Sequence, residues 1–168
     1  MRNLKTLLLV AVVAFGFNMV QAQSKVAHVD LGEIIKSMPE TKAMNDDLEK
    51  LKKTYEDDLK AKGEELDAKV KKYDAEAPQQ TQQENQKRVK EVQQEDLKIQ
   101  QGLQFAERDI ANKGNEMSKP IFEKARNAVD AVAKELGYDY VLDVNSLIVA
   151  QGKDITENVK AKLGITAQ

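Results

Sequence analysis

Two apolar stripes that mirror each other across a proline constrain this 168-residue chain more than any other feature. Leu48, Leu51, Tyr55, Leu59, Leu66 and Val70 form the first stripe; Val89, Val92, Ile99, Leu103, Ala106 and Ile110 form the second. Each keeps the three-or-four spacing of a helix with one apolar edge. Folding the second stripe back about residue 79 sets Leu48 opposite Ile110, Tyr55 opposite Leu103, Leu59 opposite Ile99 and Leu66 opposite Val92, with Leu51–Ala106 and Val70–Val89 within one position of that centre. Two antiparallel helices joined at Pro78 are the expected result. Ala77-Pro78-Gln79-Gln80-Thr81 breaks both patterns, and Thr81 with Glu84 three residues later reads as a capping box that starts the second helix.

The stripes are only about one apolar residue wide per turn. Between Pro39 and Glu76 they are surrounded by 12 acidic and 9 basic residues. Such helices project into solvent and lean on one partner, so residues 39–118 are expected to form an arm with its tip near 77–83. Its first half spans roughly 57 Å at the helical rise. The stripe from Met44 to Tyr73 advances about 3.6 residues per step, which suits a straight helix rather than a supercoil. Gln79 to Gln86 is glutamine-rich and reads as a mobile turn. Pro39 is placed at a first-turn position, where its missing N–H is harmless.

The second helix continues through Met117, Ile121, Ala125, Val129, Val132 and Leu136 into an apolar region that should be packed. Pro120 lies between the two regimes. It is expected to act as a hinge, by kinking the helix or by following a fresh start capped by Ser118. Gly63, Gly102 and Gly114 each cost roughly 1 kcal/mol relative to Ala in a helix interior. They are either tolerated imperfections or points that let the arms spread.

The remaining segments predict a small β body from residues 23–38 and 119–168. Lys25 to Leu31 alternates as a strand, with Ala27, Val29 and Leu31 on one face and Val26, His28 and Asp30 on the other. Leu31 to Met38 makes a short helical turn with Ile34 and Ile35 inward. Leu136-Gly137 ends the long helix. Tyr140 to Asp143, a turn at Asn145-Ser146, and Leu147 to Ala150 read as a hairpin. Asp154 then caps a helix from Ile155 to Leu163. The expected class is α+β: an N-terminal strand and a C-terminal hairpin with a long antiparallel helical hairpin inserted between them. Three short strands make a marginal sheet whose edges want pairing, so assembly with copies of the same chain is expected.

Arg2 and Lys5 precede an apolar run from Leu7 to Val20, and Val20-Gln21-Ala22 has the small residues a signal peptidase reads. Cleavage after Ala22 is expected, and without a Cys at the junction no lipid anchor is expected there. The remaining 146 residues carry 24 basic and 28 acidic side chains, a net charge of −4. There is no Cys, which removes thiol chemistry and Cys-based metal sites. His28 is the only histidine and has no ligand or nucleophile constellation around it, so it reads as a partly exposed strand residue. Neither GxGxxG nor GxxxxGK[ST] occurs. No catalytic residue, metal or cofactor is expected, and the chain does not read as an enzyme.

The signal segment, the opening Val26-Ala27-His28-Val29-Asp30-Leu31-Gly32, the long polar hairpin, and Tyr140-Val141-Leu142-Asp143-Val144-Asn145 followed by Lys153-Asp154-Ile155-Thr156 together resemble the Skp/OmpH family of periplasmic chaperones. That resemblance implies a homotrimer whose strands form a central β body, with arms enclosing a cavity that holds unfolded outer-membrane proteins without ATP. Val26, Val29, Tyr140, Leu142, Leu147 and Val149 are the body residues expected at the trimer interface. Tyr55, Tyr73 and Phe105 are the candidate contacts for unfolded clients. One departure stands out: relatives of this kind can be strongly basic, whereas residues 38–118 hold 15 basic and 19 acidic residues. Lipopolysaccharide binding is therefore doubtful and nucleic-acid binding is not expected. A structural coiled-coil spacer or an adaptor is the alternative, but the stripe is interrupted at Lys62-Gly63 and between Val92 and Ile99, and no anchor cluster stands out.

Overall fold

Strand β1, Val26–Val29, is the axis around which the packed end of the molecule is assembled. The structure is a computed structural model that describes residues 24–165. The expected signal segment and its cleavage point after Ala22 lie outside the described residues, and no helix among the described residues is long and apolar enough to cross a membrane. Helix α1 spans Leu31–Ser37, capped by Asp30, whose carboxylate accepts from the Glu33 N–H at 2.8 Å. Helix α2 spans Pro39–Glu76, with the proline in its first turn as expected. A 3-10 turn, Ala77–Gln79, holds Pro78, and helix α3 runs from Gln82 to Leu136. Strand β2 is Tyr140–Asp143, strand β3 is Lys153–Asp154, and helix α4 is Thr156–Lys162.

The sheet is not built from a hairpin. Its order is β2-β1-β3 and both pairings are parallel: Val26 faces Tyr140 and Val29 faces Asp143 on one side, and His28 faces Asp154 on the other. The Asn145-Ser146 turn forms a 3-10 element because the Asp143 carboxylate takes the Asn145 N–H at 3.1 Å and the Asp143 carbonyl takes the Ser146 hydroxyl. Residues 147–152 are then the return leg that parallel β2 and β3 require between them, so the strand expected at Leu147–Ala150 has no ladder. His28 is also corrected. It is only 8% exposed, because β1 is central, the chain at Gly152 passes beside its imidazole, and its Nε2 lies 3.9 Å from Asp154 Oδ2.

Ile34, Met38, Ile155 and Val159 are the largest fully buried side chains, and Ile121, Ala125 and Val132 of α3 close the core over β1. Each large aliphatic group so buried contributes about 1.5–3 kcal/mol. The Asp-Ile-Thr segment closes the chain. Ile155 N–H donates to the His28 carbonyl at 3.0 Å, Asp154 Oδ1 accepts both the Thr156 N–H and hydroxyl, and Thr156 Oγ1 accepts the Asp30 N–H at 2.9 Å. The hydroxyl therefore links β1 to α4, while Asp154, two positions before the helix, supplies the carboxylate that takes its first N–H. On the far side of α4, Glu157 and Glu33 hold the Lys160 ammonium and push its pKa up to about 12.

Helix α3 passes through Pro120 without restarting, and Ser118 donates to the Asn115 carbonyl within the same helix, so a fresh cap at Ser118 is ruled out. It ends at Gly137, whose φ of 70° lets its N–H reach Lys134 and that of Tyr138 reach Ala133. The two long helices run antiparallel, with a register one helical turn beyond the predicted one. Leu59 lies against Gly102 and Leu48 against Gly114, three and four residues beyond the partners the stripes predict. Val89 and Leu103, assigned to the seam by periodicity, are 55% and 52% exposed. Gly102 and Gly114 thus receive leucine side chains. At the tip the Thr81 hydroxyl accepts the Glu84 N–H at 3.2 Å as expected, while Glu84 turns to Lys87 and Arg88.

Two outcomes follow from this architecture. Thr156→Ala leaves the Asp30 N–H without its partner in a buried setting and is expected to lower stability by about 1–3 kcal/mol in chemical denaturation. Removing residues 60–70 together with 92–102 takes three turns from each side of the observed seam and shortens the arm by roughly 17 Å. The melting of the packed end should be retained in that variant; its loss would make the arm, rather than the sheet and its helices, the folding unit.

Candidate interaction surfaces

The three aromatic residues marked as client contacts fall into two groups. The Tyr55 hydroxyl donates to Asp109 Oδ2 at 2.9 Å and its ring meets Phe105 edge-on at 6.2 Å, so it is a seam residue. Asp109 pushes the Tyr55 pKa up through that bond, keeping the phenol protonated. Tyr73 donates to Glu91 Oε2 at 3.0 Å and lies 4.5 Å beneath the Arg88 guanidinium, so it too is engaged between the helices. Phe105 alone remains largely free, at 60% exposure.

Periodicity placed Val89 and Leu103 in the seam and passed over Leu97 and Phe122, and all four are exposed. At about 100° per residue, Val89 and Leu103 flank one side of the seam, Phe105 lies on the other flank, and Leu97 points away from α2. The arm therefore offers separated apolar points on several sides. Its charges are largely matched on its own surface: Lys42–Asp46, Lys53–Asp57 and Lys62–Asp58 are exposed pairs one turn apart. Each such pair is worth little to stability, but it leaves a surface without a dominant sign.

The sheet presents a second surface. Val26, Tyr140 and Leu142 share the face turned away from α3 and are 48%, 60% and 41% exposed. On the return leg Ile148 and Val149 are exposed and Leu147 is half-buried. Val29 belongs to the opposite face and is buried in the chain's own core, which removes it from the expected interface. A cleft of ≈ 480 Å³ opens on that inner side between β1, β2 and α3, walled by Phe122, Val129, Tyr138 and Val141. Among the described residues no cluster of His, Cys, Asp or Glu could hold a metal ion.

A small parallel sheet carrying an inserted helical arm is a recognisable architecture. The family profile described as outer membrane protein (OmpH-like) matches residues 25–163, which takes in both strand regions and the whole arm. The chain belongs to the OmpH-like family. The crystal structure of a proposed OmpH-like outer membrane chaperone from Caulobacter crescentus CB15 is similar to it, with a TM-score of 0.77 at 18% identity over 84% of this chain and 85% of that one. At that identity the likeness speaks for the fold. No curated protein matches the chain.

Within this OmpH-like chain, the motifs that carried the sequence resemblance are scaffold elements. Asp30 caps α1, Asp143 shapes the turn after β2, and Asp154-Ile155-Thr156 staples the C-terminal segment across β1. The arm, which meets the solvent, carries no comparable motif. A double-mutant cycle on Tyr55 and Asp109, using Tyr55→Phe and Asp109→Ala, checks the observed register. A coupling of about 1 kcal/mol in arm stability is expected, and additivity of the two changes would return the seam to the register of the bare stripes.

Proposed function

We propose that this chain is an ATP-independent holdase chaperone of the periplasm, working as a homotrimer that keeps unfolded outer-membrane β-barrel proteins soluble in a cavity between its arms. Family membership supports the chaperone role. The observation that carries the mechanism is the arm surface: exposed Val89, Leu97, Leu103 and Phe105 are separated from one another amid matched charges. Many weak apolar contacts suit partners with no fixed shape, whereas a folded partner would need a concentrated anchor cluster. The matched, net-acidic arm argues against phosphate-rich partners such as lipopolysaccharide or nucleic acid.

Trimer assembly is assigned to the outer face of the sheet. Three short strands with both edges open and with Val26, Tyr140, Leu142 and Val149 exposed leave apolar area that copies of the chain would cover. Pro120 is assigned as the pivot between arm and body, since it removes one rung of an otherwise continuous helix. Light scattering on the processed chain and suppression of aggregation of a urea-denatured β-barrel protein test this reading. Leu142→Asp is expected to release monomers and abolish holding. Single changes of Val89, Leu97, Leu103 or Phe105 to Ala should weaken holding by about 1 kcal/mol or less each. A trimeric Leu142→Asp chain would remove the sheet face from the interface, and loss of holding from one alanine would replace the diffuse surface with a single anchor.

A further inference from the structure

The seam between α2 and α3 changes character along its length. From the packed end to Gly63 it is mainly apolar: Leu48 meets Gly114, Leu59 meets Gly102, Tyr55 meets Phe105, and Ala106 is buried, with the Tyr55–Asp109 hydrogen bond and the Glu40–Lys124 pair at the root as its polar links. A Cβ added at Gly63 would touch nothing within 4 Å. Beyond it the bridging contacts are mainly polar. Lys69 Nζ lies between Glu95 and Glu91, 3.0 Å from the latter; Tyr73 donates to Glu91; and Arg88 reaches Glu76 at 2.9 Å and approaches Glu84 at 3.8 Å. Lys62, Glu65 and Lys98 line the opening beside Lys69, and Asp74 flanks Tyr73 and Arg88.

These polar groups stay in reach of solvent, with Lys69, Glu91 and Glu95 side chains 30%, 40% and 32% exposed. The apolar filling at this level is thin, because a cleft of ≈ 420 Å³ lies alongside Val70, Val89 and Val92. Arg88 Nη1 is moreover buried without a hydrogen-bond partner. Salt screens part-exposed ion pairs and leaves apolar contacts intact, so the two halves of the seam respond to different conditions.

We infer that the part of the arm beyond Gly63 is a polar latch: it opens as a unit while the proximal seam stays closed, and opening bares Val70, Tyr73 and Val92 as additional apolar surface for an unfolded chain. The second half of this statement rests on the holdase reading; the first does not. Glu95 and Glu91 hold the Lys69 ammonium above its ordinary range, and Lys69 with Tyr73 holds Glu91 below the usual carboxylate range, as a mutually supporting cluster should.

Hydrogen exchange of the free protein, read amide by amide at low and at several-fold higher salt, tests the latch. Exchange in 69–76 and 85–95 should accelerate several-fold with salt while 48–59 and 102–114 stay unchanged. Lys69→Gln should reproduce the acceleration at low salt and remove most of the salt response. A uniform response along the arm, or no effect of Lys69→Gln, overturns the latch. The chain has no Cys, so Val70→Cys with Val92→Cys gives a cross-linkable pair, its closure checked by mass and by restored exchange protection. Holding of a urea-denatured β-barrel protein should be stronger with Lys69→Gln and weaker with the closed pair. Equal holding by both, with the exchange pattern as expected, overturns the client-facing half alone. Absence of holding by the unmodified chain counts against the holdase reading instead.

Discussion

Closure of β1 against segments that follow it by more than a hundred residues is the constraint on which the molecule depends. Lys25 N–H meets the Asp139 carboxylate at 2.8 Å across a separation of 114 residues, and Asp30 N–H meets Thr156 across 126. In a flexible chain such loops are costly to close. The helical hairpin reduces the problem, because two antiparallel helices bring their outer ends together once their seam is in register. The Glu40–Lys124 pair lies at that root, and its attraction holds Glu40 below the usual carboxylate range. The arm is thus both a solvent-exposed projection and the device that brings the sheet's strands to one place.

Much of this was legible in the residues. The hairpin, its turn at Pro78, the helix start at Thr81, the proline at the head of α2 and the glycine stop at 137 each have a local physical cause. The register was not legible, for a reason visible at Gly102 and Gly114. Matching stripes pairs large residues with large ones, whereas the seam seats Leu59 and Leu48 against glycines. Sliding one helix by a turn preserves the match of stripes, so only the small residues distinguish the alternatives.

The strand pairing failed for a related reason. Leu147 to Ala150 has the composition of a strand, but β2 and β3 both run parallel to β1, so this segment is spent carrying the chain back across the sheet and forms no ladder. Composition reports what a segment could do; the ladder is decided by segments elsewhere. Tyr55 and Tyr73 illustrate the same point among the candidate contacts. Tyr55 already stood in the stripe opposite Leu103, but the polar partners that hold the two hydroxyls and cover the Tyr73 ring, Asp109, Glu91 and Arg88, come from the opposite helix. Phe105 has no polar handle to be captured in this way.

The passage of α3 through Pro120 has a mechanical consequence. From Gln82 to Pro120 the helix extends roughly 58 Å at the helical rise, and the remaining turns to Leu136 are anchored in the core by Ile121, Ala125 and Val132. A short anchored end and a long projecting one have the proportions of a lever. A tilt of about 10° at the proline, where one rung of the helical ladder is missing, carries the tip through about 10 Å. Displacement under such a tilt grows linearly with distance from the body, so it would be largest at the tip and smallest at the root.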